Sequence, residues 1–302
     1  MVPDMSDTRR GILMMLVGIS LFTINDALGK WLVTEHAVGV LLAVRSLFAA
    51  AVLLPFIRRR GWRTVFAVRR LPLHLLRVAA ACTEIACFYW AVRYLPLAEV
   101  MTIYMAAPLI LTALSVPLLG EHVGWRRWAA VVVGFAGVVV VLNPAGDFDP
   151  LPSLVAVFGT VAYALSMIGT RFLRADGNLT LVSFSTFGTG LVGTATLPVV
   201  WSTPGPLDFL LLGLLGLVAL AGHAAVNRSL QLSPPVVVAP FQYVSILFAV
   251  VIDAVIWNHM PTASVGMGAA LIIASGLFVF HREQVVKSGA AAAAGTTMGP
   301  GE

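Results

Sequence analysis

Three charged side chains that could bind a charged ligand or relay protons fall at one depth of consecutive apolar segments. At about 1.5 Å of rise per residue, Asp26 lies about 10 Å, Arg45 about 12 Å and Glu84 about 13 Å from the outer ends of their antiparallel segments. An ionised side chain inside a bilayer costs at least about 2.5–3.5 kcal/mol, so such groups pair or face a wet cavity. We therefore expect Arg45 to lie between the two acids, either along a water-filled pathway or as a contact that holds three helices together.

Further polar and aromatic side chains extend this set of candidates. Lys30 lies one turn beyond Asp26 and is expected to pair with it or to reach outward to the interface. His223 and Asn227 are four residues apart and share one helix face. Asp253 is expected near the outer interface, where a solvated acid is ordinary. The remaining candidates for contact with a ligand are Trp90, Tyr104, Tyr163, Gln242 and Tyr243.

The sequence indicates no metal, cofactor or nucleic acid. It contains no HExxH or HxxxH spacing and no P-loop, so we expect neither a catalytic metal nor direct coupling to ATP. The two cysteines, Cys82 and Cys87, lie on different faces of one apolar segment and are expected to pack as small core residues. The net charge of +5 comes from basic residues in short loops between apolar runs rather than from one soluble face.

The elements that position these residues are membrane-spanning helices. Of the 302 residues, 59% are hydrophobic and only 11% are charged, whereas soluble domains average about 25% charged. A spanning helix needs about 20 apolar residues, and the long continuous runs exclude the alternating pattern of a β-barrel. Ten runs have the required length, at roughly 11–33, 37–57, 72–93, 97–119, 126–142, 151–173, 180–200, 207–230, 235–256 and 262–281.

The distribution of positive charge predicts the orientation of the chain. If the N-terminus is cytoplasmic, 15 of the 19 Lys and Arg residues fall in segments on the cytoplasmic side and only Lys30 and Arg93 at the outer ends. Both termini, residues 1–10 and 282–302, are therefore expected in the cytoplasm. The last segment is of low complexity, which predicts disorder.

An internal repeat divides the apolar region into two halves. A shift of 138 residues places "LPLAEV" (95–100) on "SPPVVV" (233–238) and Tyr104 on Gln242, and a shift of 141 places Lys30 on Arg171. Because each half has an odd number of helices, five, the second half must be inserted upside down relative to the first. The predicted repeats are residues 11–142 and 151–281.

Three longer stretches resemble a known family of transporters. "INDALGKWL" followed by "LLAVRSLFAAAVLLP", "YWAVRYLPLAEVMTIYMAAPLILTALSVPLLGEHVGW", and "NRSLQLSPPVVVAPFQYVSILFAVVIDAVIW" resemble the EamA family of the drug/metabolite transporter superfamily. The resemblance implies an all-α integral membrane protein of ten helices, built as two inverted five-helix repeats around a central substrate cavity. One position departs from the family pattern, because the acid before the last helix is Glu121 in the first repeat but His259 in the second.

The function implied by this resemblance is secondary transport of a small metabolite through a bacterial inner membrane. The main interpretation is an exporter of aromatic and other neutral amino acids by alternating access, because acid and base groups at one depth suit a zwitterion. The alternative is an uptake transporter for a vitamin or nucleoside-like metabolite, such as riboflavin or S-adenosylmethionine. An intramembrane enzyme is the alternative from another class. The expected partners are the substrate and the lipid bilayer.

Overall fold

Each of the ten apolar runs is mostly helical in the computed structural model, which describes residues 5–119, 124–143, 149–232 and 238–296. The first half contains α1 (Met5–Leu32), α2 (Val38–Arg60), the short α3 (Trp62–Phe66), α4 (Leu71–Tyr94), α5 (Leu97–Tyr104), α6 (Ala107–Leu119) and α7 (Trp125–Leu142). The second half contains α8 (Pro150–Phe172), α9 (Asn178–Val200), α10 (Pro206–Leu232), a 3-10 segment (Ala239–Tyr243), α11 (Val244–Ile256) and α12 (Ala263–Thr296).

The helices have the length and composition of membrane spans. Among the described residues, eight helical stretches are long and apolar enough to cross a membrane, and the apolar stretch Phe241–Ile256 is shorter. The one remaining predicted span, residues 180–200, is α9. It has 23 residues and no charged side chain but is rich in Ser, Thr and Gly. Large apolar side chains such as Leu47, Leu191 and Val199 are exposed, as expected where lipid is the solvent. The chain is an all-α membrane protein.

The fourth span of the first half is interrupted near its middle, and the described part of the equivalent span in the second half begins in a 3-10 segment. In the first half, α5 ends at Tyr104 and α6 begins at Ala107, because Pro108 has no backbone N–H to continue the helix. In the second half, the 3-10 segment containing Gln242 precedes α11. Tyr104 and Gln242 are the residues that the repeat places on each other. Interrupted helices of this kind expose backbone groups at the level where transporters bind their substrates.

The contacts between helices connect the two halves symmetrically. The first span of each half packs on the third span of the other half: α1 packs on α10, and α8 packs on α4. The second spans, α2 and α9, pack on each other, and so do the last spans, α7 and α12. Exchanging the two halves leaves this pattern unchanged, as a two-fold relation requires. We call the membrane face at which α1 begins the N-terminal face and the other the opposite face.

The C-terminal segment differs from its prediction. The sequence predicts disorder from residue 282 onward, but α12 continues to Thr296. The reason is local composition, because residues 290–294 are consecutive alanines and Ala has the highest helix propensity. Residues 297–302 of this segment, and Glu121, lie outside the described residues.

Candidate functional site

The three charged residues predicted to share one depth lie close enough to interact electrostatically. Asp26 on α1 and Glu84 on α4 both interact with Arg45 on α2, and the two acids also repel each other. All three side chains are half-buried rather than exposed to lipid. The rise of consecutive antiparallel helices is therefore sufficient to bring them to one region.

The arrangement of these charges differs from the ion-paired cluster expected from the sequence. Among the described residues, no ion pair within 4.0 Å joins Arg45 to Asp26 or Glu84, and Arg45 Nη1 instead donates to Tyr89 Oη at 3.2 Å. Tyr89 Oη donates to Asn25 Oδ1 at 3.3 Å, and Asn25 Nδ2 donates to the Leu215 carbonyl on α10 at 2.5 Å. A neutral hydrogen-bonded chain thus holds the guanidinium, and among the described residues neither carboxylate has a hydrogen-bond partner.

Aromatic rings surround the charged groups. Tyr104 Oη donates to the Glu84 carbonyl at 3.1 Å, and its ring centroid lies 6.4 Å from that of Tyr163 on α8. Phe88 packs edge-on against both Tyr89 and Tyr104, at 5.4 and 5.2 Å between ring centroids. Phe88, Tyr89 and Tyr104 are buried against one another, so in this arrangement Tyr163 is the partly exposed ring beside the two acids and the base.

The second half adds His223 from α10. Its ring meets Phe22 of α1 edge-on at 4.8 Å between centroids and interacts electrostatically with Arg45. Its side chain also keeps an exposed surface. The predicted neighbour Asn227 has a side chain outside the described part of the structure. Tyr163 and His223 are thus the contributions of the second half to this cluster.

Three other predicted residues have their described contacts elsewhere. Trp90 packs against Tyr94 at 4.8 Å between centroids, and Tyr94 is 54% exposed. Gln242 accepts a hydrogen bond through its backbone carbonyl from Ser245 Oγ, and the Tyr243 hydroxyl lies against Gly276 on α12. The Gln242 and Tyr243 side chains are half-buried in the 3-10 segment, and among the described residues no contact joins them to the charged groups.

Lys30 has a partner that the sequence analysis did not predict. Its Nζ lies 3.1 Å from Asp253 Oδ1 on α11 and 4.5 Å from the centre of the Trp257 ring. Asp253 Oδ2 accepts a second hydrogen bond from the Ala98 backbone N–H at 2.7 Å. The expectations that Lys30 pairs with Asp26 or reaches the interface, and that Asp253 is a solvated acid, are therefore wrong. Both side chains are buried, Asp253 completely, because the pair joins the two halves inside the fold.

A His–Asp pair also links the two halves at each membrane face. On the opposite face, His36 Nε2 lies 3.1 Å from Asp208 Oδ2, and Glu35 brings a third possible metal ligand atom within 4.8 Å. On the N-terminal face, His74 Nε2 lies 2.8 Å from Asp176 Oδ2. On the opposite face the histidine follows α1 and the acid lies at the start of α10. On the N-terminal face the acid follows α8 and the histidine lies at the start of α4, which are the equivalent positions of the two halves. His36 and Asp208 are hydrogen-bonded to each other and thereby connect α10 to the loop that follows α1.

A close contact in the aromatic cluster provides a stability test. A methyl group at Gly159 would collide with the Tyr104 hydroxyl and would lie 2.8 Å from Cys87 Cβ. Gly159→Ala is therefore expected to lower the free energy of unfolding by about 1–3 kcal/mol, measured by denaturant titration in detergent. Tyr104→Phe in the same background should recover part of this loss, because it removes one of the two clashing groups. A Gly159→Ala protein as stable as the wild type would contradict this packing.

Comparison with known proteins identifies relatives along almost the whole chain. A family model described as the EamA-like transporter family matches residues 9–143 and 151–281. An S-adenosylmethionine uptake transporter of Rickettsia prowazekii (strain Madrid E) is 27% identical over 276 residues, covering 91% of this chain and 93% of the relative. A riboflavin transporter of Vibrio cholerae is 26% identical over 282 residues, covering 91% and 94%. A pseudopaline exporter of Pseudomonas aeruginosa (strain UCBPP-PA14) is 21% identical over 270 residues, covering 88% and 94%.

The fold also matches a solved structure. A crystal structure of a protein whose sequence is 18% identical superposes with a TM-score of 0.61, covering 89% of this chain and 95% of that one. At this level of identity the match concerns the fold alone.

Proposed function

Because the chain belongs to the EamA-like transporter family, we propose that it carries S-adenosylmethionine or a closely similar cationic metabolite across a bacterial inner membrane. The substrate would bind between Asp26, Arg45 and Glu84, in the region where side chains of both halves meet. The excess of Lys and Arg on the N-terminal face supports an orientation with both termini in the cytoplasm.

The charge composition of the cluster is the observation that carries this proposal. Two carboxylates and one guanidinium interact in one half-buried region, and within the described part of the chain no ion pair joins them directly. S-adenosylmethionine carries two positive groups, the ammonium and the sulfonium, and one negative carboxylate. Its carboxylate would meet Arg45, and its two cations would meet Asp26 and Glu84. Each buried charge would then have a partner of opposite sign.

The aromatic side chains suit the rest of this substrate. Adenine is a flat heterocycle that stacks on rings, and Tyr104, Tyr163 and Phe88 lie next to Glu84. A sulfonium is also attracted to the faces of aromatic rings. Phe88 and Tyr104 are buried in this structure, so the adenine would first contact the partly exposed ring of Tyr163.

The other substrates considered from the sequence leave charges unbalanced. A neutral amino acid has one positive and one negative group, so one carboxylate would keep no partner. Riboflavin is uncharged and would offer a partner of opposite sign to none of the three charges. The alternative of uptake of a nucleoside-like metabolite is thus supported better than the main interpretation, amino-acid export.

The similarities favour uptake as the direction of transport. A relative that is 27% identical is an S-adenosylmethionine uptake transporter, whereas the exporter among the relatives described above is 21% identical. All of these relatives carry small molecules across membranes, which favours a transporter over an intramembrane enzyme.

A counterflow experiment tests the proposed substrate. Liposomes that contain the purified full chain and unlabelled S-adenosylmethionine are diluted into labelled S-adenosylmethionine, with riboflavin and phenylalanine tested in parallel and protein-free liposomes as the control. We expect protein-dependent accumulation of labelled S-adenosylmethionine above its equilibrium level. Exchange of phenylalanine without S-adenosylmethionine would support amino-acid transport instead, and no exchange of any of the three would contradict the proposal.

A further inference from the structure

Six exposed arginines lie close together on the N-terminal face, between the end of α2 and the start of α4. No acidic residue occurs between His36 and Thr83, so the charge of this stretch is purely positive. Within the described parts of the chain, none of the six makes an ion pair or a side-chain hydrogen bond. We call them the arginine surface, and its members are Arg58, Arg59, Arg60, Arg63, Arg69 and Arg70.

The arginine surface is fixed to the fold by the short helix α3. Val65 of α3 is 1% exposed and belongs to an apolar cluster with Leu53 and Ile57 of α2. Phe66 packs against Phe184 and Phe187 of α9, at 5.4 and 5.7 Å between ring centroids. The apolar side of α3 is therefore directed at the protein, which anchors the backbone between the neighbouring arginines.

Trp62 indicates that this surface lies at the boundary between lipid and water. It stacks on Phe66 at 5.7 Å between centroids and is 47% exposed. Tryptophan is enriched at the headgroup level of membranes because its ring is amphipathic. The arginines on either side of Trp62 are thus placed at the depth of lipid headgroups.

The second half shows that the fold itself does not require this surface. The repeat-equivalent connection, residues 201–205 between α9 and α10, has five residues, no helix and no charged side chain. The connection between α2 and α4 has ten residues, 61–70, and contains α3. Orientation does not require all six arginines either, because nine other Lys and Arg residues already fall on the N-terminal face.

We propose that the arginine surface binds the phosphate groups of anionic phospholipids in the surrounding bilayer. Guanidinium groups bind phosphate oxygens through two parallel hydrogen bonds, and several of them can share one headgroup. A cluster of four to eight basic residues directly beside a membrane span is the arrangement expected for recognition of such lipids. A lipid headgroup, unlike free phosphate, is held by the bilayer at the depth of Trp62.

Native mass spectrometry of the full chain tests this inference independently of its transport substrate. The protein in neutral detergent is titrated with phosphatidylglycerol and, separately, phosphatidylcholine, and the bound lipid is counted. The test variant replaces Arg60, Arg63, Arg69 and Arg70 with Gln. The matched control variant removes the same number of charges from the same face, at Arg9, Arg10, Arg126 and Arg127. Circular dichroism checks that each variant is folded, and an Arg69→Gln, Arg70→Gln protein replaces the test variant if it is not.

The wild type and the control variant are expected to prefer phosphatidylglycerol to phosphatidylcholine. The test variant should bind phosphatidylglycerol at least roughly tenfold more weakly, since one basic residue near an anionic surface contributes roughly fivefold. High salt should weaken the wild-type preference. Equal loss in both variants, or equal binding of the two lipids by the wild type, would overturn the inference. Displacement of phosphatidylglycerol by millimolar inorganic phosphate would also overturn it, because the site would then be one for free phosphate.

Discussion

Replacing Asp26 with Asn or Glu84 with Gln is expected to lower the affinity for S-adenosylmethionine by about ten- to 100-fold. Each change keeps the shape of the side chain but removes one of the two negative charges. A hydrogen bond to a charged group contributes about 1.5–3 kcal/mol, and about 1.4 kcal/mol corresponds to a factor of ten in affinity. The affinity is read from competition against labelled S-adenosylmethionine in counterflow.

The exposed acid Glu35 provides the control for these variants. Glu35→Gln also removes one negative charge, but at the opposite face, and is expected to leave the affinity within about twofold of the wild type because exposed charges are screened. Thermal unfolding in detergent checks that all variants remain folded. Wild-type affinity in both the Asp26→Asn and Glu84→Gln proteins would show that these carboxylates do not bind the substrate.

The second large effect is expected at the buried ion pair of Lys30 and Asp253. Asp253→Asn or Lys30→Met should each lower the free energy of unfolding by about 3–5 kcal/mol, because each leaves a buried charge without its partner. Asn at position 253 still offers an oxygen to the Ala98 backbone N–H, so the effect reports mainly on the charge. Unfolding by denaturant in detergent gives the free energies.

The double variant separates the ion pair from the rest of the packing. In Lys30→Met with Asp253→Asn neither charge remains, so the loss should be clearly smaller than the sum of the two single losses. Additive losses would show that the two residues do not depend on each other. The pair connects α1 and α5 of the first half to α11 of the second, so it must separate if these helices move apart on the opposite face.

The depth of residues was predictable from the sequence, whereas their partners were not. Asp26, Arg45 and Glu84 could be brought to one region because the rise of a helix and short loops between consecutive helices suffice to place them. Lys30 was assigned the wrong partner because Asp253 is 223 residues away in the other half. Local spacing favours the acid one turn away and contains no information on which helices of the two halves pack together.

The links at the two faces were missed for the same reason. His36 and Asp208 are 172 residues apart, and His74 and Asp176 are 102 residues apart, so neither pair forms a motif. One signal was available in retrospect. An inverted repeat brings the loop after the first span of one half to the start of the third span of the other half. Each of these loops and span starts carries a histidine or an acid. The helical C-terminal segment could also have been inferred from its run of alanines.

A competition between S-adenosylmethionine and S-adenosylhomocysteine tests the charge complementarity of the site most directly. The two molecules differ by one methyl group and the sulfonium charge that it creates, so the adenine and the amino-acid end are held constant. Both are titrated against labelled S-adenosylmethionine in counterflow with the wild-type chain. The proposed site predicts that S-adenosylhomocysteine competes at least about tenfold more weakly, because one carboxylate then has no cation to bind. Equal competition by the two molecules would contradict the assignment of two carboxylates to two substrate cations.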